Sequence, residues 1–129
     1  MKIDVYKRIR DCTDIAAVEA LVAELGDRFG RPPDEVRALL RVQELRVLCT
    51  AAGVRRFGLS GGVAEVEFIP GREPKPGQMR GLLEQCSVPL EFDARRGLLM
   101  RFKAPRDRGE ALRLGTEVLK RVVDCATIH

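Results

Sequence analysis

Apolar side chains in the first half of the chain recur at steps of three and four residues, the spacing that places them on one side of an α-helix. The clearest such stripe consists of Ile15, Val18, Val22, Leu25 and Phe29. Thr13 or Asp14 is suited to cap the start of this helix, and Gly30 with Pro32-Pro33 is suited to end it. The pattern therefore predicts a helix from about Asp14 to Gly30 whose stripe faces the core.

Two further helices are predicted on either side of this one. A short helix is expected over Asp4–Asp11, in which Val5 and Ile9 lie one turn apart. A longer helix is expected from Pro33 to about Ala52, because proline is favoured at the first helical position. Its apolar residues lie on nearly every side: Val36, Leu39, Leu40, Val42, Leu45, Val47, Leu48 and Cys49. Such a helix is expected to be central and packed from several directions.

The second half of the chain changes to the two-residue alternation of β-strands. Val54–Leu59 and Val63–Ile69 flank Ser60-Gly61-Gly62, a sequence typical of a hairpin turn. Val88–Phe92 and Leu98–Phe102 are predicted to form a second hairpin.

Two more helices complete the predicted order of elements. A short helix is expected over Gln78–Gln85, with Met79, Leu82 and Leu83 turned inward. A long helix is expected over about Pro105–Ala126. The predicted fold class is therefore α+β: a helical N-terminal half of three helices, followed by two β-hairpins with an intervening short helix, and a C-terminal helix.

Size and composition are those of one globular domain. The chain has 129 residues, of which 45% are hydrophobic and 33% charged, so it can build a core. We therefore predict that residues 1–129 form a single domain. No apolar run approaches the roughly 20 residues that cross a bilayer, and the first residues lack the apolar stretch of a signal peptide. We expect a cytoplasmic protein with no membrane partner.

Residues that commonly build metal sites and catalytic centres are sparse or far apart. Cys12, Cys49, Cys86 and Cys125 include no pair at zinc-ligand spacing, and the only histidine is the terminal His129. We expect four reduced cysteines that act as small apolar side chains. No phosphate-binding loop occurs, and no Ser-His or Cys-His pair can form without an internal histidine. We therefore expect no metal and no cofactor, and a binding or regulatory domain, with an enzyme as the weakest possibility.

The charge pattern leaves one alternative function open. The chain carries 23 Lys and Arg against 19 Asp and Glu, a formal net charge of +4. These charges are interleaved and no aromatic stacking motif lies among them, whereas a nucleic-acid module concentrates positive charge on one face. Arg55-Arg56 and Arg95-Arg96 are the best candidates for a basic patch. A nucleic-acid-binding accessory domain is therefore the alternative.

The side of the second helix opposite the apolar stripe has an unusual composition. It collects Ala16, Ala17, Ala20, Ala23, Glu24 and Asp27. Glu24 and Asp27 are three residues apart, so together they can address one basic partner, although they stand near the negative end of the helix dipole. Two interpretations remain open. The face is an ordinary wet surface of helix-forming alanines and solubilising acids, or it is a docking face whose small residues admit a second surface and whose acids meet arginines.

Five strings of residues also occur in a distinctive order and spacing. They are Val5-Tyr6-Lys7-Arg8-Ile9, Glu24-Leu25-Gly26-Asp27-Arg28-Phe29-Gly30-Arg31-Pro32-Pro33, Leu39-Leu40, Glu44-Leu45-Arg46 and Gly53-Val54-Arg55. Together they resemble the C-terminal domain of bacterial transcription-repair coupling factors. The resemblance covers about residues 3 to 70, and beyond Pro70 only the order of elements is similar. Gly26 departs from the family pattern, which often has a larger apolar residue there.

The resemblance implies a non-catalytic regulatory domain of a larger, ATP-driven DNA translocase that removes stalled RNA polymerase and recruits UvrA for excision repair. In that family the domain packs on a UvrB-like N-terminal module, masks the UvrA-binding surface and restrains the motor. UvrA, RNA polymerase and DNA are then partners through other domains. The resemblance also implies that Glu24 and Asp27 contact arginines of the UvrB-like module. From the helix pattern, we predict that Ala20 and Ala23 of the docking face belong to the same partner-binding site.

Overall fold

The computed structural model describes residues 2–94 and 97–127. The chain divides into two compact units, residues 1–48 and residues 49–129. The boundary between the units falls inside the third helix. Each unit is therefore formed by one continuous stretch of the sequence.

Three helices make up the first unit. They are α1 (Lys2–Arg10), α2 (Ile15–Phe29) and α3 (Asp34–Ala52), the last of which continues beyond the unit boundary. Asp14, rather than Thr13, caps α2, because its Oδ1 accepts a hydrogen bond from the backbone N–H of Ala17 at 2.7 Å. Gly30 ends α2 at φ 71° and ψ −146°, a positive-φ conformation that favours glycine. The predicted start and stop signals of α2 are confirmed.

The interior of the first unit is apolar and draws on all three helices. Its buried cluster consists of Ile9, Cys12, Val18, Leu21, Leu25, Leu40 and Val47. The prediction for the stripe on α2 was wrong at two positions, because Val22 and Phe29 are 45% and 46% exposed. Leu21 is buried in their place. Both Leu21 and Val22 fit steps of three and four between Val18 and Leu25, and the larger leucine removes more apolar surface from water.

Helix α3 buries residues on more than one side, as its sequence predicted. Leu40 and Val47 belong to the cluster of the first unit, while Leu45 and Leu48 are also buried on another side of the helix. The exception is Leu39, which is 40% exposed.

The second unit contains a four-stranded antiparallel sheet. Its strands are β1 (Val54–Ser60), β2 (Val63–Phe68), β3 (Glu91–Asp93) and β4 (Leu99–Lys103), in the order β1-β2-β4-β3. Both predicted hairpins form, and pairing of β2 with β4 joins them into one sheet. Strand β3 is shorter than the predicted Val88–Phe92, and Pro89, which has no N–H to donate, lies outside it.

Two helices accompany the sheet in the second unit, α4 (Pro76–Gln85) and α5 (Arg108–Thr127). Helix α5 begins later than the predicted Pro105, because the Asp107 carboxylate accepts from the backbone N–H of Glu110 at 3.0 Å and caps the first turn. The prediction that Leu83 points inward was wrong, since it is 51% exposed. The largest fully buried side chains come from strands and helices alike: Val66, Leu82, Met100 and Leu119.

The observed fold confirms the predicted α+β class and its order of elements. Three helices precede a hairpin, a short helix, a second hairpin and a final helix within the described residues. That residues 1–129 form a single domain stays a prediction. The fold places α2, with its alanines and acids, in the first unit, and places Arg55-Arg56 on β1 in the second.

Candidate interaction surface

The exposed side of α2 is lined by small residues. Ala16, Ala20 and Ala23 are exposed, as is Gly26 one turn further along. Ala17 does not belong to this surface, because it is partly buried against the core of the first unit. The exposed face is therefore turned slightly about the helix axis relative to the predicted face. Ala20 and Ala23 lie on the exposed side, as predicted.

Glu24 lies at the margin of this surface and is engaged within the chain. Arg8 of α1 donates two hydrogen bonds to the Glu24 carboxylate, one from Nη1 to Oε2 and one from Nη2 to Oε1, the second at 2.9 Å. Arg28 Nη1 stands 3.9 Å from Oε2 of the same carboxylate. The hydrogen bond from Arg8 is the main cause that lowers the pKa of Glu24, and the same bond raises the pKa of Arg8. Glu24 therefore stays ionised to lower pH than an ordinary glutamate.

Asp27 differs from Glu24 in its surroundings. Its side chain is exposed, and no ion pair or hydrogen bond to its carboxylate occurs within residues 2–94 and 97–127. The two acids predicted to act together are thus unequal: Glu24 is held by an arginine of the same unit, whereas Asp27 is exposed and has no partner among the described residues. We name the exposed residues Ala16, Ala20, Ala23, Gly26 and Asp27, with Glu24 at the margin, the α2 face.

Two large apolar side chains beside the α2 face lie on the surface, although their spacing predicted that they would be buried. Val22 and Phe29 are exposed. The Arg28 guanidinium carbon lies 5.4 Å from the centroid of the Phe29 ring, a distance at which a cation interacts with the aromatic face. No signal in the sequence distinguishes them from core residues, because their spacing is that of the buried stripe.

Of the candidate basic patches, Arg55-Arg56 lies on β1, where Arg55 is paired with an acid and Arg56 is exposed with no ion pair among the described residues. On the sheet, Arg55 Nη2 bonds Glu67 Oε1 at 2.7 Å. Arg101 Nε bonds Glu65 Oε2 at 3.0 Å, and this bond chiefly raises the pKa of Arg101. Arg95-Arg96 lies outside the described residues. These pairings neutralise charge locally rather than concentrating it, which is the opposite of a nucleic-acid footprint.

The net charge is nevertheless uneven along the chain. Residues 1–48 contain nine basic and nine acidic residues, and residues 49–129 contain fourteen basic and ten acidic ones. The formal charge of +4 therefore belongs to the second unit, and the α2 face lies in a unit that is neutral as a whole.

No disulfide joins the four cysteines in the part of the chain that the structure describes. Cys12 is buried in the core of the first unit, and the other three are partly buried. Burial raises the pKa of the Cys49 thiol to about 11, so at neutral pH it is uncharged and a poor nucleophile. No group of three or more metal-ligating side chains occurs among residues 2–94 and 97–127.

A cavity of about 440 Å³ lies in the second unit between the end of α4 and α5. Its charged lining residues are two acids and two bases: Glu117, Asp124, Lys120 and Arg121. Because these charges balance, the lining favours neither an anion nor a cation.

Comparison with known proteins decides the family. The model of the TRCF domain family matches residues 1–79, which contain α1, α2, α3 and the first hairpin. The chain belongs to the TRCF domain family. This confirms the resemblance that the strings in the first half of the sequence predicted.

Curated relatives of this TRCF-family chain are much longer than the chain itself. The transcription-repair-coupling factor of Haemophilus influenzae is 34% identical over 95 residues, which are 72% of this chain and 8% of that protein. The same factor of Escherichia coli is 34% identical over 86 residues, 65% of this chain and 7% of that protein. The factor of Mycobacterium tuberculosis is 31% identical over 80 residues, 62% of this chain and 6% of that protein. The chain thus spans less than a tenth of the length of these relatives.

A solved structure shows the same fold over nearly the whole chain. It is a crystal structure of the C-terminal domain of a transcription-repair coupling factor, with a TM-score of 0.75 at 23% identity. The match covers 95% of this chain and 81% of that one. The region that follows residue 79, outside the family model, is therefore still part of the shared fold.

Within residues 2–94 and 97–127, no helix of this TRCF-family chain has both the length and the apolar character needed to span a bilayer.

Proposed function

We propose that this chain is a regulatory, non-catalytic domain of a transcription-repair coupling factor, which docks through the α2 face onto an arginine-bearing surface of that protein's UvrB-like N-terminal module. Docking would mask the UvrA-binding surface of the module and restrain the ATP-driven motor. RNA polymerase, UvrA and DNA are contacted by other parts of the full-length protein. The cell compartment is the cytoplasm.

Membership of the TRCF domain family, over a match that includes all of α2, is the observation that carries this proposal. The geometry of the α2 face adds a physical reason. Asp27 is an exposed carboxylate with no ion-pair partner among the described residues, and it stands beside alanines that let another surface approach closely. An unpaired acid on a smooth helix face suits a cationic partner, because a close charge pair that loses water at an interface strengthens binding.

A binding measurement tests the proposal. The chain is titrated with the isolated UvrB-like module of the same coupling factor, and the dissociation constant is measured by calorimetry for wild type and for Asp27→Lys. The substitution should weaken binding by roughly tenfold or more, because coupling between close charges is on the order of 1–3 kcal/mol and each 1.4 kcal/mol is a factor of ten.

The matched control is Glu84→Lys. Glu84 is an exposed acid on α4, in the other unit, so this variant has the same net charge as Asp27→Lys but an intact α2 face. Equal affinities of the two variants would mean that only net charge matters and would refute the assigned face. Circular dichroism verifies that both variants are folded.

The alternative, a nucleic-acid-binding accessory domain, finds less support. It would require the positive charge of residues 49–129 to lie on one face, yet two of the arginines described on the sheet, Arg55 and Arg101, bond acids on neighbouring strands. Its test is a salt titration, because binding through phosphates weakens steeply as salt rises. Tight, salt-dependent binding to duplex DNA by the chain alone would favour this alternative.

A further inference from the structure

Arg8 forms a bidentate ion pair with Glu24, and this pair occupies one of the two acids at the α2 face. Arg8 Nη1 donates to one carboxylate oxygen and its Nη2 to the other, the geometry in which a guanidinium matches a carboxylate best. A second guanidinium cannot form the same fork while Arg8 is in place, because both oxygens already accept from it. Arg28, 3.9 Å from Oε2, adds another positive charge beside the same carboxylate.

The pair is accessible enough to be exchanged. The side chains of Arg8 and Glu24 are 48% and 38% exposed, so water and salt screen their attraction. Exposed ion pairs contribute little to stability, and a partner can therefore replace one of the two members at modest cost. Asp27, in contrast, needs no such exchange, since no described residue pairs with it.

We propose that Arg8 is an internal competitor of the docking partner: it occupies Glu24 in the free chain, and an arginine of the partner surface contacts Asp27 first and reaches Glu24 only by displacing Arg8. The proposal rests on the proposed function, because it concerns the same face. In this proposal Arg8 lowers the affinity for the partner, whereas the contact of Asp27 with the partner raises it.

The opposite role, in which Arg8 orients Glu24 for the partner, makes the opposite prediction. If Arg8 were a positioning residue, its loss would weaken docking. If it is a competitor, its loss strengthens docking, because Glu24 then has one fewer cation beside it. The sign of the change therefore decides between the two roles.

The experiment uses the isolated UvrB-like module as the probe and measures dissociation constants at low and physiological salt. Arg8→Met should tighten binding about two- to fivefold at low salt, the range that an exposed ion pair supplies, and the gain should shrink as salt screens the charges. The control Arg10→Met removes one positive charge from another exposed position of α1. It reports the general effect of lowering the charge of the chain and should change the affinity less than about twofold.

Glu24→Gln completes the design as a double-mutant cycle with Arg8→Met. With Arg8 present, Glu24→Gln should change affinity less than about twofold, because the carboxylate is already occupied. In the Arg8→Met background the same substitution should weaken binding at least about fivefold, since the freed carboxylate then contacts the partner. NMR titration of the Glu24 carboxyl, which needs no partner, checks that Arg8→Met releases it: its pKa should rise.

The outcomes separate the two proposals. If Arg8→Met and Arg10→Met have the same affinity, or if Arg8→Met binds more weakly than wild type, Arg8 is not a competitor, and a loss of binding by Asp27→Lys would still uphold the proposed function. If Asp27→Lys binds like Glu84→Lys, the α2 face is not the docking surface and both proposals are wrong. Absence of any binding by the wild-type chain would also overturn both.

Discussion

The buried side chain of Gln43 donates through Nε2 to the backbone carbonyl oxygen of Cys12 at 2.7 Å, tying α3 to the turn between α1 and α2. No other hydrogen bond to this carbonyl is found among the described residues. Gln43→Leu would leave the carbonyl buried without a donor. We expect a loss of about 1–3 kcal/mol in the free energy of unfolding, measured by urea denaturation.

Thr116→Val provides the comparison for this variant. Thr116 is also buried, and its hydroxyl donates to the carbonyl of Leu112 at 2.9 Å. That carbonyl lies one helical turn earlier in α5 and keeps its backbone hydrogen bond when the hydroxyl is removed. The change should therefore be smaller than for Gln43→Leu. Similar losses of unfolding free energy for both variants would show that the loss comes from changing a buried side chain and not from leaving the Cys12 carbonyl without a donor.

Leu21 and Val22 are neighbours in α2 with opposite surroundings, and they test the observed orientation of the helix. Leu21 is 4% exposed and belongs to the buried cluster, whereas Val22 is 45% exposed. Leu21→Ala should cost about 2–5 kcal/mol of unfolding free energy through lost burial and the cavity left behind. Val22→Ala should change it by about 0.5 kcal/mol at most, as for other surface positions. A larger loss for Val22→Ala would favour the stripe predicted from the sequence.

Gly26 lies within α2, and a methyl group there would meet no atom within 4 Å outside the helix backbone and the adjacent residues. Glycine destabilises a helix by roughly 0.5–1 kcal/mol relative to alanine, so Gly26→Ala should raise the free energy of unfolding by about that amount. Gly30→Ala is the matched change at the end of the same helix. Since Gly30 has φ 71°, alanine should instead lower stability by about 1–2 kcal/mol. Thermal unfolding of the two variants should shift in opposite directions.

Gly53 follows α3 at φ 74°, and a methyl group there would stand 2.8 Å from the Cβ atom of Arg72. Gly53→Ala should therefore combine backbone strain of about 1–2 kcal/mol with a steric clash that the Arg72 backbone must move to relieve. Gly71→Ala separates the two effects, because Gly71 has φ 89° but open space around it. Denaturant titration should show a greater loss for Gly53→Ala. Equal losses would mean that strain alone accounts for both.

Ionisation of Glu24 should make stability depend on pH in the acid range. Because Arg8 lowers the pKa of Glu24 in the folded chain, the contribution of this ion pair is complete above the ordinary pKa of glutamate, where the unfolded chain is also ionised. It is lost as pH falls through the lowered pKa of the folded chain. The difference in unfolding free energy between wild type and Glu24→Gln should thus be constant near neutral pH and shrink on acidification. A difference that stays constant to low pH would contradict the ion pair.

Local signals in the sequence were sufficient to predict the order of elements. Gly30 with Pro32-Pro33 ends α2 because proline cannot continue a helix and glycine tolerates a positive φ. Gly61 and Gly62 both have positive φ in the turn between β1 and β2, as their pairing in a hairpin predicts. These effects involve only neighbouring residues, so they can be read without knowing the fold.

Local signals did not predict which side of α2 is buried or which of its acids is paired. Leu21 and Val22 satisfy the same helical spacing, and the choice between them depends on which side α1 and α3 cover. The pairing of Arg8 with Glu24 joins residues sixteen positions apart, and no local pattern indicates it. The sequence by itself determined the family and the helices and strands, because these follow from short-range preferences and continuous strings of residues. Only the tertiary structure decided which residues of α2 are buried and which of its acids has a partner among the described residues, because both depend on contacts between elements distant in the chain.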